Sequence, residues 1–412
     1  LHLLSRRQRQ MCIRDSFYIA GTGRPGPVLI DIPMDVQKAV IDFEYPEKCE
    51  IRSYKPTTKG NYVQVRRVMA ALEEAEKPLI CIGGGVFAAH AENEIRELAD
   101  LMQIPVITTM MGISVFPDDD QLFCGMIGTH GVKMANAAVN ECDVLFLVGA
   151  RVGDRAVKTP LALEKTTKII HIDIDPAEIG KNIGADLPLV GDAKLVLQQM
   201  TELAKPMKHD EWIAHIKTLG GERKYVEPAK GTVNPRVFID RLAKKMPANV
   251  TVVADVGQNQ IWTCTEYKFR KEGRLLTSGG MGTMGYSVPA AIGAKMADNS
   301  RATVAICGDG AFQMSFMELA TAVQFGVDIK VVVMTNNRLG MVRELQTNGY
   351  HDRQTAVFLD GSPDFIKLAE AYGIPAMRVY DDDTMDKGVE MLAEHKGICL
   401  VEVVVDKDMP TL

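Results

Sequence analysis

The chain has 412 residues, enough for about two to three domains, each with its own core. Acidic residues outnumber basic ones by 53 to 47, so no basic footprint points to nucleic acid, and no apolar run reaches the roughly 18 residues of a membrane span. Eight cysteines are scattered without a CxxC pair, and Cys81, Cys307 and Cys399 fall in apolar strands, so they read as reduced core thiols of a cytoplasmic protein.

Residues 1–16 start at Leu1 and contain a basic, aperiodic stretch, residues 5–14. That stretch has neither the apolar core of a signal peptide nor the pattern of a transit helix, and it reads as a non-native leader. Residues 17–45 follow as a helix end, a Gly-Arg-Pro-Gly-Pro turn and a buried strand at residues 28–32. Residues 44–60 are mostly polar, punctuated by Pro46 and Pro56, and read as an interdomain linker.

The first full unit spans residues 61–205. Apolar segments 79–82, 105–109, 144–149 and 169–173 alternate with helical stretches, which predicts a parallel, doubly wound sheet. Glycines follow these strands, as in Gly83-Gly84-Gly85; they admit a nucleotide closely, but they are also the common way from a strand into a helix. Residues 206–232 are polar with some helical period and bridge to a second unit, residues 233–412. There, 250–253, 302–307, 329–334 and 398–405 read as strands. Residues 314–325 predict a helix stopped by Gly326, and Ser362-Pro363 predicts the capped start of another that Gly373 ends. The fold class is therefore α/β: two doubly wound parallel-sheet domains and a remnant of a third.

One stretch concentrates the chemistry. A buried strand runs into Gly308-Asp309-Gly310, a helix follows, and a second buried strand ends at Thr335-Asn336-Asn337. In a β-α-β unit both strand ends open onto one crevice, so Asp309 and Asn336, 27 positions apart, can offer two hard oxygens to one point. A carboxylate, an amide oxygen and a backbone carbonyl suit Mg²⁺ carrying a diphosphate, because Mg²⁺ keeps few protein ligands and lets phosphate help fill its shell. Gly-Asp-Gly alone is a common turn and Asn-Asn a common loop; the order and spacing of strand, acid, helix, strand and amide give the functional reading.

Gly-Asp-Gly with an Asn 27 residues after the Asp resembles the thiamine diphosphate motif. The wider text resembles the catalytic subunit of the acetohydroxyacid (acetolactate) synthase family: Asp255-Val256-Gly257-Gln258, the stretch from Thr277 through Gly282-Thr283-Met284-Gly285-Tyr286, and Gly340-Met341-Val342. The resemblance runs from about Tyr18 to the C-terminus. It implies thiamine diphosphate contacts from Val256, Gly257, Gln258, Asn259, Gly282, Thr283, Met284, Gly308, Asp309, Gly310, Ala311, Met314, Asn336 and Met341. Met284 would prop the bent cofactor, and Met314 and Met341 would wall its pocket. Mg²⁺ would take Asp309, Asn336 and the carbonyl of Arg338, with Asn337 the alternative if the loop shifts by one.

The same resemblance implies FAD, in a structural role because the reaction has no net redox change. Its contacts would come from Arg24, from Gly128-Thr129-His130-Gly131, from Arg151, from Asp173 and Asp175, and from Asp192. One departure stands out: the family's Gly-Ala-Arg-Phe-Asp-Asp-Arg is here Gly149-Ala150-Arg151-Val152-Gly153-Asp154-Arg155. The implied activity joins two pyruvates into 2-acetolactate with loss of CO₂, or pyruvate with 2-ketobutyrate, in branched-chain amino-acid biosynthesis, the cofactor serving as electron sink. Leu345 stands where the family commonly has a Trp that favours 2-ketobutyrate, which implies a weaker preference. No catalytic side chain is assigned within residues 17–412; the family's glutamate belongs to its pyrimidine-binding domain, of which only residues 17–45 correspond, and the family's C-terminal tail is likewise expected to be missing. The polypeptide alone is then expected to be silent. Implied partners are a second copy, as homodimer or homotetramer, and a small regulatory subunit. The competing readings are another thiamine diphosphate carboligase, such as a glyoxylate carboligase, and an inactive nucleotide-binding fragment.

Overall fold

The computed structural model describes residues 13–40, 49, 51–157, 159–221 and 225–412. Most of the expected leader (residues 1–12), residues 41–43 of the segment after it, and most of the start of the linker (residues 44–48 and 50) lie outside them. Residues 13–21 are helical, and the linker from residue 51 to 61 contains neither helix nor strand.

Two six-stranded, wholly parallel sheets organise the described chain. The first contains β1 (Pro78–Ile82), β2 (Val106–Thr108), β3 (Phe123–Met126), β4 (Val144–Val148), β5 (Lys168–Asp173) and β6 (Leu187–Val190), in the order β3-β2-β1-β4-β5-β6. The second contains β7 (Thr251–Ala254), β8 (Arg274–Thr277), β9 (Thr303–Gly308), β10 (Lys330–Thr335), β11 (Ala376–Val379) and β12 (Cys399–Val404), in the order β11-β12-β10-β9-β7-β8. The first order reverses direction once, between β1 and β4; the second reverses between β7 and β9, and again at its far edge where β12 inserts between β10 and β11. Such reversals leave a crevice at the carboxyl ends of the flanking strands, where loops diverge to opposite faces.

Helices cover both faces of each sheet, so the central strands are buried throughout, as β1 and β10 are. The covering helices follow local rules. Asn61 caps Tyr62–Glu74 by accepting from the amides of Val63 and Gln64, and that helix buries Val65, Val68, Met69 and Leu72 along one stripe. Asn234 and Pro235 start Pro235–Lys245 in the same manner. The sheets also meet: Ile113 and Met126 of the first unit join the core around Val252, Trp262 and Leu275 of the second. Asp118 and Phe269 seal that contact, with Asp118 N–H donating to the Phe269 carbonyl at 2.9 Å and Phe269 N–H to the Asp118 carboxylate at 2.8 Å.

Four expectations need correction. The sequence reading overlooked β3, β6, β8 and β11, which are the four edges of the two sheets. The helix expected over residues 314–325 is instead a 3₁₀ turn Phe316–Glu318 followed by Leu319–Gln324, with a separate short helix Asp309–Phe312 before it, although Gly326 does take the left-handed conformation that ends it. Asp364, not Ser362, caps Phe365–Ala371; the Ser362 hydroxyl instead donates to the Leu359 carbonyl. Residues 28–32 form no strand: among the described residues no neighbouring strand offers their backbone a ladder, and Leu29 is 95 % exposed.

Truncation should separate these two kinds of apolar residue. Ile306→Ala, at a site 0 % exposed in β9, should cost about 2–5 kcal/mol in denaturant unfolding. Leu29→Asp should stay within about 0.5 kcal/mol of the parent. A large loss at Leu29 would show that the segment is covered in solution.

Candidate active site

At the reversal of the second sheet, two buried carboxylates sit at adjacent strand ends. Asp255, following β7, is 0 % exposed, and its oxygens accept from the amides of Val256 (2.8 Å), Gly285 (3.0 Å) and Ser287 (2.8 Å). It thereby ties down the glycine-rich loop that follows β8. Asp309, following β9, accepts from the amides of Gly310 (2.8 Å), Asn336 (3.1 Å) and Asn337 (2.7 Å). The expected meeting of Asp309 with the loop after β10 is therefore present. Burial pushes the Asp309 carboxyl up to about 6, even though the three amides pull the other way.

Asn336 is oriented on both sides: its Oδ1 accepts from Arg338 N–H at 3.1 Å, and its Nδ2 donates to Gln258 Oε1 at 3.1 Å. Asn337 has the left-handed φ of 53°, and its carbonyl is taken by the amide of Leu359 and by the Arg338 side chain. Among the described residues no donor meets the Arg338 carbonyl. Asn259 is buried and spans the strand ends, donating to the carbonyls of Asp255 (2.8 Å) and Ile306 (3.2 Å). Gly257 has a φ of 144°, and a Cβ on Gly308 would lie 3.3 Å from Asn259 Oδ1. A Cβ on Gly310 would lie 2.6 Å from Leu339 and 3.4 Å from Met284, which brings Met284 over the Gly-Asp-Gly turn beside Ala311. Thr283 N–H donates to Ser278 Oγ at 3.0 Å, and Met314 is 57 % exposed at the lip rather than on a helix.

The reversal of the first sheet opens into a cavity of 1870 Å³. Arg24, Thr129, His130, Arg151, Asp173 and Asp192 line it, and it continues to Gln260, Gly282 and Met341 of the second unit. Of the residues expected around the diphosphate, Gly282 and Met341 reach this cavity, while Asp309 and Asn336 are not among its lining residues. Some of the residues expected to make contacts also serve the scaffold. Cβ atoms on Gly128 and Gly131 would lie 2.4 Å from the Arg155 carbonyl and 2.4 Å from the Ile127 carbonyl carbon, so these glycines permit backbone packing. Asp192 caps Ala193–Thr201. Asp175 accepts from Arg24 at 3.2 Å and does not reach the cavity wall.

Glu178 is the residue that the sequence reading passed over. Its side chain, 6 % exposed, pairs with Arg24 at 2.7 Å, Lys181 at 3.1 Å and Arg151 at 4.0 Å. Burial would raise its carboxyl, but hydrogen bonds from Arg24 and Lys181 hold it below the usual range. Its place three residues after Asp175 in Asp-Pro-Ala-Glu was the available signal. Burial lowers the His171 imidazole, while the nearby Asp173 and Glu178 charges act the other way.

Comparison with known proteins agrees with this geometry. Residues 65–200 match the thiamine pyrophosphate enzyme central domain, and residues 255–403 match the C-terminal thiamine pyrophosphate-binding domain. The chain is 41 % identical over 407 residues to a probable acetolactate synthase large subunit of Methanocaldococcus jannaschii, covering 95 % of this chain and 69 % of that one. It is 37 % identical to the acetolactate synthase large subunit of Buchnera aphidicola, covering 91 % and 67 %, and 40 % identical to that of Corynebacterium glutamicum, covering 89 % and 60 %. With both sheets, both crevices and these relatives in agreement, the chain belongs to the acetolactate synthase large-subunit family of thiamine pyrophosphate enzymes.

Proposed function

We propose that this chain is the catalytic large subunit of an acetolactate synthase, condensing two pyruvates, or pyruvate with 2-ketobutyrate, in branched-chain amino-acid biosynthesis in the cytoplasm. The observation that carries the reading is the junction of Asp309 with the Asn336 loop, inside the stretch that matches the thiamine pyrophosphate-binding domain. Asp309, Asn336 Oδ1 and the Arg338 carbonyl would hold Mg²⁺. The donor set fits: the carboxylate is buried without a cation beside it, and the Arg338 carbonyl has an open acceptor site. Among the described residues no group of three His, Cys, Asp or Glu forms an all-protein cage, which suits a cation that shares its shell with phosphate.

When bound, thiamine diphosphate supplies the electron sink for loss of CO₂ and carbon–carbon bond formation. The protein's part is placement and exclusion of water. Asp255 fixes the glycine loop, Asn259 ties the two strand ends, Met284 and Met341 present apolar surface, and Leu345, 61 % exposed, leaves the acceptor side open. FAD would occupy the cavity in a structural role, with Arg24 and Arg151 toward its phosphates and Asp173 toward its hydroxyls. A second copy and a small regulatory subunit complete the reading. That residues 1–412 are silent by themselves follows from the same family resemblance, which gives the proton-handling glutamate to the pyrimidine-binding domain.

Asp309→Ala should remove Mg²⁺-dependent binding of thiamine diphosphate, because the metal loses its only carboxylate; unchanged affinity by calorimetry would contradict the assignment. A fusion carrying the remaining portion of the Methanocaldococcus relative should turn pyruvate into 2-acetolactate, while residues 1–412 alone should not. Formation of a different carboligation product by the fusion would overturn the substrate reading, and turnover near the fusion's rate by residues 1–412 alone would overturn the expected silence.

Arg24→Ala should lower flavin retention about tenfold through loss of its charge-assisted hydrogen bonds, measured by flavin absorbance after gel filtration, with Mg²⁺-dependent thiamine diphosphate binding unchanged. Loss of both together would show that Arg24 serves the fold rather than the flavin pocket.

A further inference from the structure

Gln258 opens the helix Gln258–Glu266 and is only 4 % exposed. Its Nε2 faces three acceptors: the Met409 carbonyl at 2.8 Å, Thr411 Oγ1 at 3.2 Å and the Glu344 carboxylate at 3.4 Å. An amide has one acceptor end and one donor end, so these acceptors leave Oε1 pointing the other way, where it accepts from Asn336 Nδ2 at 3.1 Å. That contact decides the Asn336 amide in turn, directing its nitrogen to Gln258 and its oxygen to the Arg338 amide, in the loop whose Asn336 and Asn337 N–H groups Asp309 accepts.

The acceptors are themselves anchored. Residues 409–411 run across the helix, with Trp262 Nε1 donating to the Pro410 carbonyl at 3.1 Å and Arg236 to the Thr411 carbonyl at 2.7 Å. Thr411 donates to Glu344 through its amide at 3.1 Å and through its hydroxyl. The space for the Gln258 amide exists because residue 340 is glycine: a Cβ there would lie 1.8 Å from Gln258 Oε1 and 3.1 Å from Asn336 Nδ2.

We infer that Gln258 is a positioning residue, through which Glu344 and the 409–411 strap set the orientation of the Asn336 amide and hence the affinity of the Asp309–Asn336 pair for Mg²⁺. The inference rests on the proposed metal and diphosphate site, and it assigns roles to Glu344, Thr411 and Gly340 that the site itself does not require. Neither Thr411 nor Glu344 would touch the metal; they act two hydrogen bonds away.

The test is calorimetric titration of Mg²⁺ into the 412-residue chain at saturating thiamine diphosphate, with Trp262 fluorescence in a Trp212→Phe background as a reading of the strap. Thr411→Val and Gly340→Ala should each weaken Mg²⁺ binding about tenfold, as loss of an outer-shell partner does, while Thr411→Ser stays within about twofold of the parent. Excess Mg²⁺ should erase the deficit, because the defect lies in metal affinity. Thr411→Val that binds Mg²⁺ as the parent does, or a deficit in diphosphate binding that persists at saturating Mg²⁺, would overturn the inference. A parent chain that binds no Mg²⁺ with thiamine diphosphate would instead overturn the functional reading on which the inference stands. The Cβ of Gly340→Ala meets the Gln258 amide and comes within 3.1 Å of Asn336 Nδ2, so its result counts only where its unfolding midpoint without ligands matches the parent; otherwise Thr411→Val against Thr411→Ser decides alone.

Discussion

The second domain is organised by carboxylates that meet backbone amides instead of cations. Asp255 and Asp309 stand at the ends of paired strands, and each accepts N–H groups from a loop belonging to a different strand. Taking a charge out of water costs several kcal/mol, and charge-assisted bonds of about 1.5–3 kcal/mol each offset that cost. The result is that two loops with little regular structure are held to the sheet at the point where the parallel strands reverse. For Asp309 the offset is incomplete, since burial still lifts its carboxyl to about 6. A carboxylate in that condition gains from a neighbouring cation.

How much of this was legible in the sequence follows from burial. The eight interior strands announce themselves as apolar runs, because a strand covered on both faces cannot carry polar residues cheaply. The four that escaped notice are β3, β6, β8 and β11, every one an edge. β3 and β8 alternate between partly and fully buried positions, and β6 contains Pro188, tolerated only where one side of the ladder is empty. Residues 28–32 fail in the opposite sense: an apolar run states that a strand would be stable if paired, and nothing in the local sequence supplies the pair. At the site, Asp309 and Asn336 could be placed from spacing alone. Glu178 could not, because its importance arises from three cations that come from positions 24, 151 and 181.

The cavity shows how two domains that look autonomous share one function. Its walls come from the loops after β1, β4 and β5, and from the loop after β8 and the start of the Gly340–Gly349 helix. Contacts through Ile113, Met126 and the Asp118–Phe269 pair join the two units, and the cavity takes wall residues from both. Arg24 closes the far side by bridging from the N-terminal segment to Glu178, a residue of the first sheet's own loop. Arg24 thus acts as a latch whose strength depends on Glu178 remaining charged, which Lys181 reinforces.

The glycines carry the final distinction. A glycine after a strand suggests a ligand that approaches the backbone, yet at Gly83 the approaching group is protein: a Cβ there would lie 2.2 Å from the Gly149 carbonyl. The loops after β1 and β4 are pressed together there, with backbone in the space a side chain would take. Gly340 works at one remove, giving up its side chain so that the Gln258 amide can reach Asn336. In both places the missing Cβ positions groups that would then position the ligand. A motif glycine in this chain is therefore better understood by asking which protein atom fills the space it vacates than by assuming that a cofactor does.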